Sequence, residues 1–386
     1  MLVVAVSLLG AACGSSTKTA GTTGTTLLPS PIGSDSVTCP AGIKIGFFGA
    51  LTGANAQLGL NEAQAEQVAI TAFNESHAKC QIGYQGFDSQ GDPSQAPALA
   101  TQASGESSVV ALIGPAFSGE SEAADPIFTQ AGLPTITVSA TNPDLATHSW
   151  SIFHRAVAND NAQGPADAMF IANTLHAKKV AVIDDASSYG KGLADIVRST
   201  LSSSGVQVYN PGSIDMSNNY PSTVNLVKAA NVDAVFFGGY YAQAGPLALQ
   251  LKNGGVTAPF ISGDGSLDAH FVSGAGAAAD GSYLSAPAAY ALTDPADAAF
   301  VAAYTKKWSM APALYSGEGF DATNELLSAI AAGNVTRSAI NTYIGSHSYV
   351  GLLKTYAYAA SGELKGSPII IVHKVVNNQI TVFAKA

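Results

Sequence analysis

From Ile43 onward the chain alternates short apolar runs with longer amphipathic ones, and this rhythm restricts its fold more than any other feature. Such alternation is expected when parallel strands are joined by crossover helices. Two series are present. The first has the strand-like runs IKIGFFGAL (from Ile43), QIGYQGFD (from Gln81), VVALIGP (from Val109) and PTITVSA (from Pro134), with helical stretches beginning near Glu62, Pro93 and Ser118. The second has KVAVIDDA (from Lys179), VQVYNPGSI (from Val206), DAVFFGGY (from Asp233) and PFISGD (from Pro259), with helices near Tyr189, Pro221 and Gln243. Each series reads as one Rossmann-like half. The two halves share a pattern without a fixed period, which argues against a solenoid.

After Pro287 the pattern changes to helical stretches over 295–308, 317–332 and 336–346. The chain then ends in PIIIVHKVV (from Pro368) and ITVFA (from Ile380), a terminal hairpin with Asn377-Asn378 at its turn. If the helices return to the first half and the hairpin to the second, the chain crosses three times, near 158–163, 286–290 and 365–368. Three crossings make a hinge. The expected architecture is therefore α/β, with two lobes on parallel sheets joined by a three-strand hinge. Lobe 1 takes 39–160 and 288–365, and lobe 2 takes 161–287 and 366–386.

Hydrophobic residues make up 47% of the chain and charged residues only 11%, against about 25% charged in an ordinary soluble protein. A net charge of -10 without a Lys/Arg cluster argues against a nucleic-acid partner, which needs a basic face to displace counterions. Residues 2–12 form an apolar run too short to span a bilayer and end in Gly10-Ala11-Ala12-Cys13. This resembles a secretion signal with a lipobox, in which Cys13 would be lipidated. The signal segment is then 1–13, and the Gly/Ser/Thr-rich stretch 14–38 is a flexible tether. The expected location is outside the cytoplasm, on the outer face of the membrane. With Cys13 acylated, Cys39 and Cys80 remain as an even pair in an oxidising compartment and are expected to form a disulfide.

Catalytic signatures are sparse. The seven histidines lack metal-ligand spacing, and CxxC, GxSxG and the phosphate-binding GxxxxGK[ST] are missing. Tyr189-Gly190-Lys191-Gly192 comes nearest to the last but lacks the hydroxyl that would hold a magnesium ion. No GxGxxG follows the first strand, so a dinucleotide is not expected, and neither a cofactor nor a metal is called for. Triads can assemble from distant residues, but with none of these motifs present an enzyme is not expected.

In this layout the chain from about Ile43 resembles the leucine/isoleucine/valine-binding family of type I periplasmic binding proteins. The resemblance is carried by LTGANAQLG (from Leu51), FDSQGDPSQA (from Phe87), LIGPAFSGES (from Leu112), ITVSATNPDL (from Ile136), DDASSYGKGL (from Asp184), VFFGGYYAQAG (from Val235) and GDG (from Gly263). It implies an extracytoplasmic, monomeric binding component that captures an amino acid between its lobes and delivers it to ABC permease subunits in the membrane. The ligand would sit at the carboxyl ends of the strands. There Ser118 opens a helix and, with Thr141, offers hydroxyls to a carboxylate. Asp264 stands where the family usually carries Glu and would accept the ammonium, with the carbonyl of Ser139 as a second acceptor; Ala140 lies between Ser139 and Thr141 in the same ligand loop. Tyr189 and Tyr240 would cover the ligand from the second lobe, and Phe117 and Leu58 would shape the side-chain pocket. A sensory module for an amide or aromatic acid is the alternative reading.

Overall fold

The structure, a computed structural model, describes residues 36–385. Cys13 and most of the 14–38 stretch therefore lie outside the described residues. The first half runs β1 (Lys44–Gly49), α1 (Ala56–Ser76), β2 (Gly83–Asp88), α2 (Ala96–Gly105), β3 (Val109–Ile113), α3 (Ser118–Ala131), β4 (Thr135–Thr137) and β5 (Phe153–Arg155). The second runs α4 (Asp160–Met169), β6 (Lys179–Asp184), α5 (Ser188–Ser203), β7 (Gln207–Tyr209), α6 (Pro221–Ala230), β8 (Ala234–Gly238), α7 (Tyr241–Asn253), β9 (Phe260–Ser262), α8 (Ala269–Ala275) and β10 (Tyr283–Ala286). Then follow α9 (Ala298–Trp308), α10 (Ser316–Ala331), α11 (Arg337–Ser346), the short pair β11 (Tyr349–Val350) and β12 (Thr355–Tyr356), and the hairpin β13 (Ile371–Val376) and β14 (Gln379–Lys385).

Two main sheets result. The first has the order β2-β1-β3-β4-β5 and is parallel throughout. The second has the order β14-β13-β10-β9-β8-β6-β7, parallel from β6 to β10 and antiparallel where the terminal hairpin joins β10. The central strands are continuously buried because helices cover both faces, as for Val109–Ile113 and Ala234–Gly238. Helices α9, α10 and α11 return to the first sheet, where α10 packs along α1 and every residue of α10 is buried. The hairpin turn places Asn377 and Asn378 at φ 51° and 60°, the left-handed pair of a type I′ turn.

Strand order reverses between β1 and β3 in one sheet and between β6 and β8 in the other. These are the switch points at which loops diverge and leave a crevice at the carboxyl ends. Strands β5 and β10 and helix α4 escape the sequence pattern. Phe153–Arg155 and Tyr283–Ala286 are too short to show periodicity, and α4 carries buried Asp160, Gln163 and Asp167 on its inner face, so its core side reads as polar. A disulfide joins Cys39, ahead of β1, to Cys80, beyond α1, across a sequence separation of 41. Closing a loop of that length stabilises the fold by about 4 kcal/mol in the chain-entropy account. Among the described residues no helix is long and apolar enough to cross a membrane.

Candidate functional site: a cavity between the lobes

Loops at the carboxyl ends of both sheets meet at one small cavity. Leu58 comes from the first turn of α1, Ala116, Phe117 and Ser118 from the β3–α3 junction, and Ser139 from the loop after β4. The second lobe contributes Tyr189 at the start of α5, Tyr240 just ahead of α7, and Asp264 and Gly265 after β9. Tyr315, ahead of α10, completes the wall. The enclosed volume is about 10 Å³, no more than one water requires. An amino acid can enter only if the lobes part and side chains move.

Local geometry explains how these residues reach the cavity. The first turn of α5 lies against the end of β8 so closely that a Cβ on Gly190 would fall 2.5 Å from the Gly238 carbonyl oxygen, and one on Gly238 would fall 2.2 Å from that of Gly190. Two glycines thus bring Tyr189 and Tyr240 together, with ring centroids 5.2 Å apart. Tyr240 also meets Phe117 of the first lobe at 5.2 Å, so an aromatic chain crosses the cleft. On the first lobe, Ser118 Oγ accepts the Asn142 N–H at 3.2 Å, which leaves its own hydrogen for a ligand acceptor. The Phe117 N–H donates to Glu120 at 3.3 Å, and Ser89 donates to the other Glu120 oxygen.

Asp264 is buried, and both of its oxygens are engaged. Tyr189 donates to Oδ1 at 2.8 Å and accepts the Gly265 N–H at 3.0 Å. Tyr315 donates to Oδ2 at 2.8 Å from the opposite lobe. Burial raises the Asp264 carboxyl above its ordinary range, and the two tyrosine hydroxyls oppose that shift. Sequence reasoning missed Tyr315, because nothing in APALYSG marks a residue that only the return of α10 to the first lobe carries into the cleft.

Ala140 and Thr141 do not line the cavity. The Ala140 N–H donates to Thr137 Oγ1 at 3.0 Å, and the Ala140 carbonyl accepts from Arg155 at 3.0 Å. Thr141 is buried beside Asp160, but neither its hydroxyl nor either Asp160 oxygen has a hydrogen-bond partner. Ser139 likewise lies beside Glu62 yet donates to the Ala116 carbonyl at 2.7 Å, leaving both Glu62 oxygens unpartnered.

Burial is the main force on these acids. It pushes Asp160, Glu62 and Glu120 each up to about 8, with Asp264 adding to the effect on Asp160, and Glu120 and Glu318 adding to that on Glu62. A carboxyl that is harder to ionise when folded than when unfolded binds more protons in the native state. Its stabilisation is complete below the ordinary carboxylate range and is lost as the pH rises through about 8. The melting temperature of the ligand-free protein is thus expected to fall between about pH 6 and about pH 9. A melting temperature that climbs over that interval contradicts this reading.

A larger cavity of about 470 Å³ lies at the hinge, bounded by all three crossings, with Asn159, Ala288, Glu318, Lys354, Glu363 and Pro368 among its walls. Its acids are already opposed by cations, Glu318 by Lys354 at 3.8 Å and Glu363 by Arg155. The small interlobe cavity is where donors and acceptors from opposite lobes converge, and its chemistry outweighs its size. Among the described residues no group of His, Cys, Asp and Glu is arranged to hold a metal ion.

Two α/β lobes, three crossings and a cavity between the strand ends that carries Ser118 on one side and Asp264 on the other define a two-lobed binding protein of the clamshell kind. A model of the periplasmic binding protein family matches residues 42–366. The chain belongs to that family. It is 30% identical over 272 residues to a leucine-, isoleucine-, valine-, threonine- and alanine-binding protein of Pseudomonas aeruginosa, covering 69% of this chain and 71% of that one. It is 33% identical over 228 residues to an amino acid binding protein of the same organism, covering 58% of this chain and 61% of the relative, so it spans under two thirds of that relative's length. Among solved structures, it superposes with a TM-score of 0.81 and 25% identity on a branched-chain amino acid transporter substrate binding protein of Streptococcus pneumoniae in complex with isoleucine, covering 89% of this chain and 99% of that one. The family is one of binding proteins, not of enzymes.

Proposed function

We propose that this chain is the extracytoplasmic substrate-binding component of an ABC importer and that it captures an amino acid, branched-chain or closely related, between its lobes. The observation that carries this reading is the convergence of Asp264 from one lobe and the Ser118 hydroxyl from the other on a single interlobe cavity. A zwitterion needs an anion at one end and oriented donors at the other, and burying its charges is costly unless both are met. The names of the relatives, which bind leucine, isoleucine, valine or other amino acids, support the same class.

In this reading Ser118 and Thr141 hold the carboxylate, with Ser139 and Ala140 in the same loop. Asp264 takes the ammonium. Leu58 and Phe117 bound the side chain, and Tyr189 and Tyr240 close over it. Thr141 joins the wall only when the lobes accommodate a ligand. Lobe 1 comprises 39–160 and 288–365, and lobe 2 comprises 161–287 and 366–386. They move as two bodies about the hinge, and the closed form presents its rims to the permease. Cys13 carries the lipid that holds the monomer at the outer face of the membrane.

A thermal-shift screen of amino acids tests the assignment. A cognate ligand at 100 times its dissociation constant is expected to stabilise the protein by about 2.7 kcal/mol. If aromatic carboxylates or neutral amides shift the melting temperature and no amino acid does, the ligand class proposed here is wrong.

A further inference from the structure

Tyr315 is held in an unusual state. Its backbone lies at φ 67° and ψ −4°, in the left-handed region that a bulky side chain rarely adopts. Such strain persists only where surrounding structure enforces it, and it concentrates at ligand clamps and switches. The enforcement comes from the first lobe. The Leu314 carbonyl accepts from Asn61 of α1 at 3.1 Å, the Ala313 N–H donates to Ser316 Oγ at 3.1 Å, and the Tyr315 carbonyl caps the Gly319 N–H at 2.9 Å. The ring is buried at 1% exposure, and its hydroxyl reaches across the cleft to Asp264.

The two tyrosines on Asp264 are not equivalent. Tyr189 shares a lobe with Asp264, and the Gly265 N–H fixes its hydroxyl, so that contact travels with the carboxylate whether the cleft is open or closed. Tyr315 approaches Oδ2 from the side of the first lobe, the side from which a ligand must come. Among the described residues no Lys or Arg lines the cavity, and the volume left with Tyr315 in place is about 10 Å³. With so little room beside Oδ2, a ligand amine reaches that oxygen only by displacing the Tyr315 hydroxyl.

We infer that Tyr315 sets the affinity threshold of the site: its hydroxyl stands on Asp264 in the place of the ligand's ammonium, and binding exchanges one donor for the other. This inference rests on the amino-acid reading above. The exchange favours a charged donor, because an ammonium bonds a carboxylate about twice as strongly as a neutral hydroxyl does. A ligand whose donor is only a hydroxyl or amide gains almost nothing from it. The threshold thus selects cationic amines over neutral donors.

The test turns on the sign of an effect. Leucine affinity is measured by calorimetry on the unaltered protein, on Tyr315→Phe and on Tyr189→Phe. Losing an internal competitor is expected to tighten binding by about tenfold in Tyr315→Phe. Losing a hydroxyl that orients Asp264 is expected to weaken binding in Tyr189→Phe. Weaker binding in both variants, or unchanged affinity in Tyr315→Phe, overturns the inference. If leucine binds none of the three proteins, its choice as ligand fails, and a carbon-13 NMR titration of the Asp264 carboxyl decides the Tyr315 contact by itself. An Asp264 pKa raised further in Tyr315→Phe supports that contact, since a donor to the charged form has been removed. An unmoved titration overturns it.

Discussion

Asp264→Ala is expected to weaken amino-acid binding at least a hundredfold, which corresponds to roughly 2.7 kcal/mol. An ammonium drawn into a closed cleft loses its hydration and must recover it from fixed acceptors. Among the described residues, Asp264 is the only acid that lines the interlobe cavity. Removing one partner of a buried ion pair costs about 3 to 5 kcal/mol, because the surviving charge is left uncompensated. The free protein complicates this reckoning, since the hydroxyls of Tyr189 and Tyr315 lose their acceptor as well. Asp264→Asn separates the two contributions: it keeps an acceptor for the hydroxyls but lacks the charge, so it should restore stability more than affinity. Calorimetric titration of both variants checks the assignment. Affinity in Asp264→Ala equal to that of the unaltered protein would remove Asp264 from the site.

A second large effect, on stability and not on binding, is expected at Glu363. Arg155, in β5, has no exposed side-chain surface, and its guanidinium ties three segments together. It donates to the carbonyls of Ala140 at 3.0 Å and Asn142 at 2.7 Å, on either side of Thr141. It also forms a two-pronged pair with Glu363, through Nε at 3.1 Å and through Nη2. Glu363 in turn accepts from Asn159 at 2.9 Å, so the first crossing is joined to the segment just ahead of the third. Glu363→Ala leaves a buried guanidinium without its counter-charge. Because Glu363 keeps 24% of its side-chain surface exposed, water replaces part of what is lost, and the cost is about 2 to 4 kcal/mol, not the full range for a buried pair. Urea unfolding measures it. A midpoint that shifts no more than that of a surface Glu→Ala control would show that the pair contributes little.

Neither Arg155 nor Glu363 stands out along the chain. HRAV and GELK carry no motif, and the two residues lie 208 positions apart. The same holds for Tyr315 and Asp264, separated by 51 positions. The family resemblance points to Leu58, Phe117, Tyr189, Tyr240 and Asp264, and the strand ends, where an α/β sheet presents its loops, point to Ser118 and Ser139; all seven line the interlobe cavity. Ala140 and Thr141 satisfy the same rule of position, yet the pull of Arg155 on the flanking carbonyls sets them behind the cavity wall. Position along the chain names the loop that faces the cleft. It does not name which atom of that loop reaches it.

The amino-acid sequence by itself determined the two strand-and-helix series, the late helices and terminal hairpin as elements, and the loops that could bear a ligand. Each of these follows from local patterns of apolar and polar residues, whose periodicity is a property of the backbone. Only the tertiary structure decided that Tyr315 meets Asp264 and that Arg155 braces the Thr141 loop. Those contacts depend on how two lobes and three crossings stack in space, and a hydrogen bond between residues far apart in the chain leaves no periodic trace in its sequence.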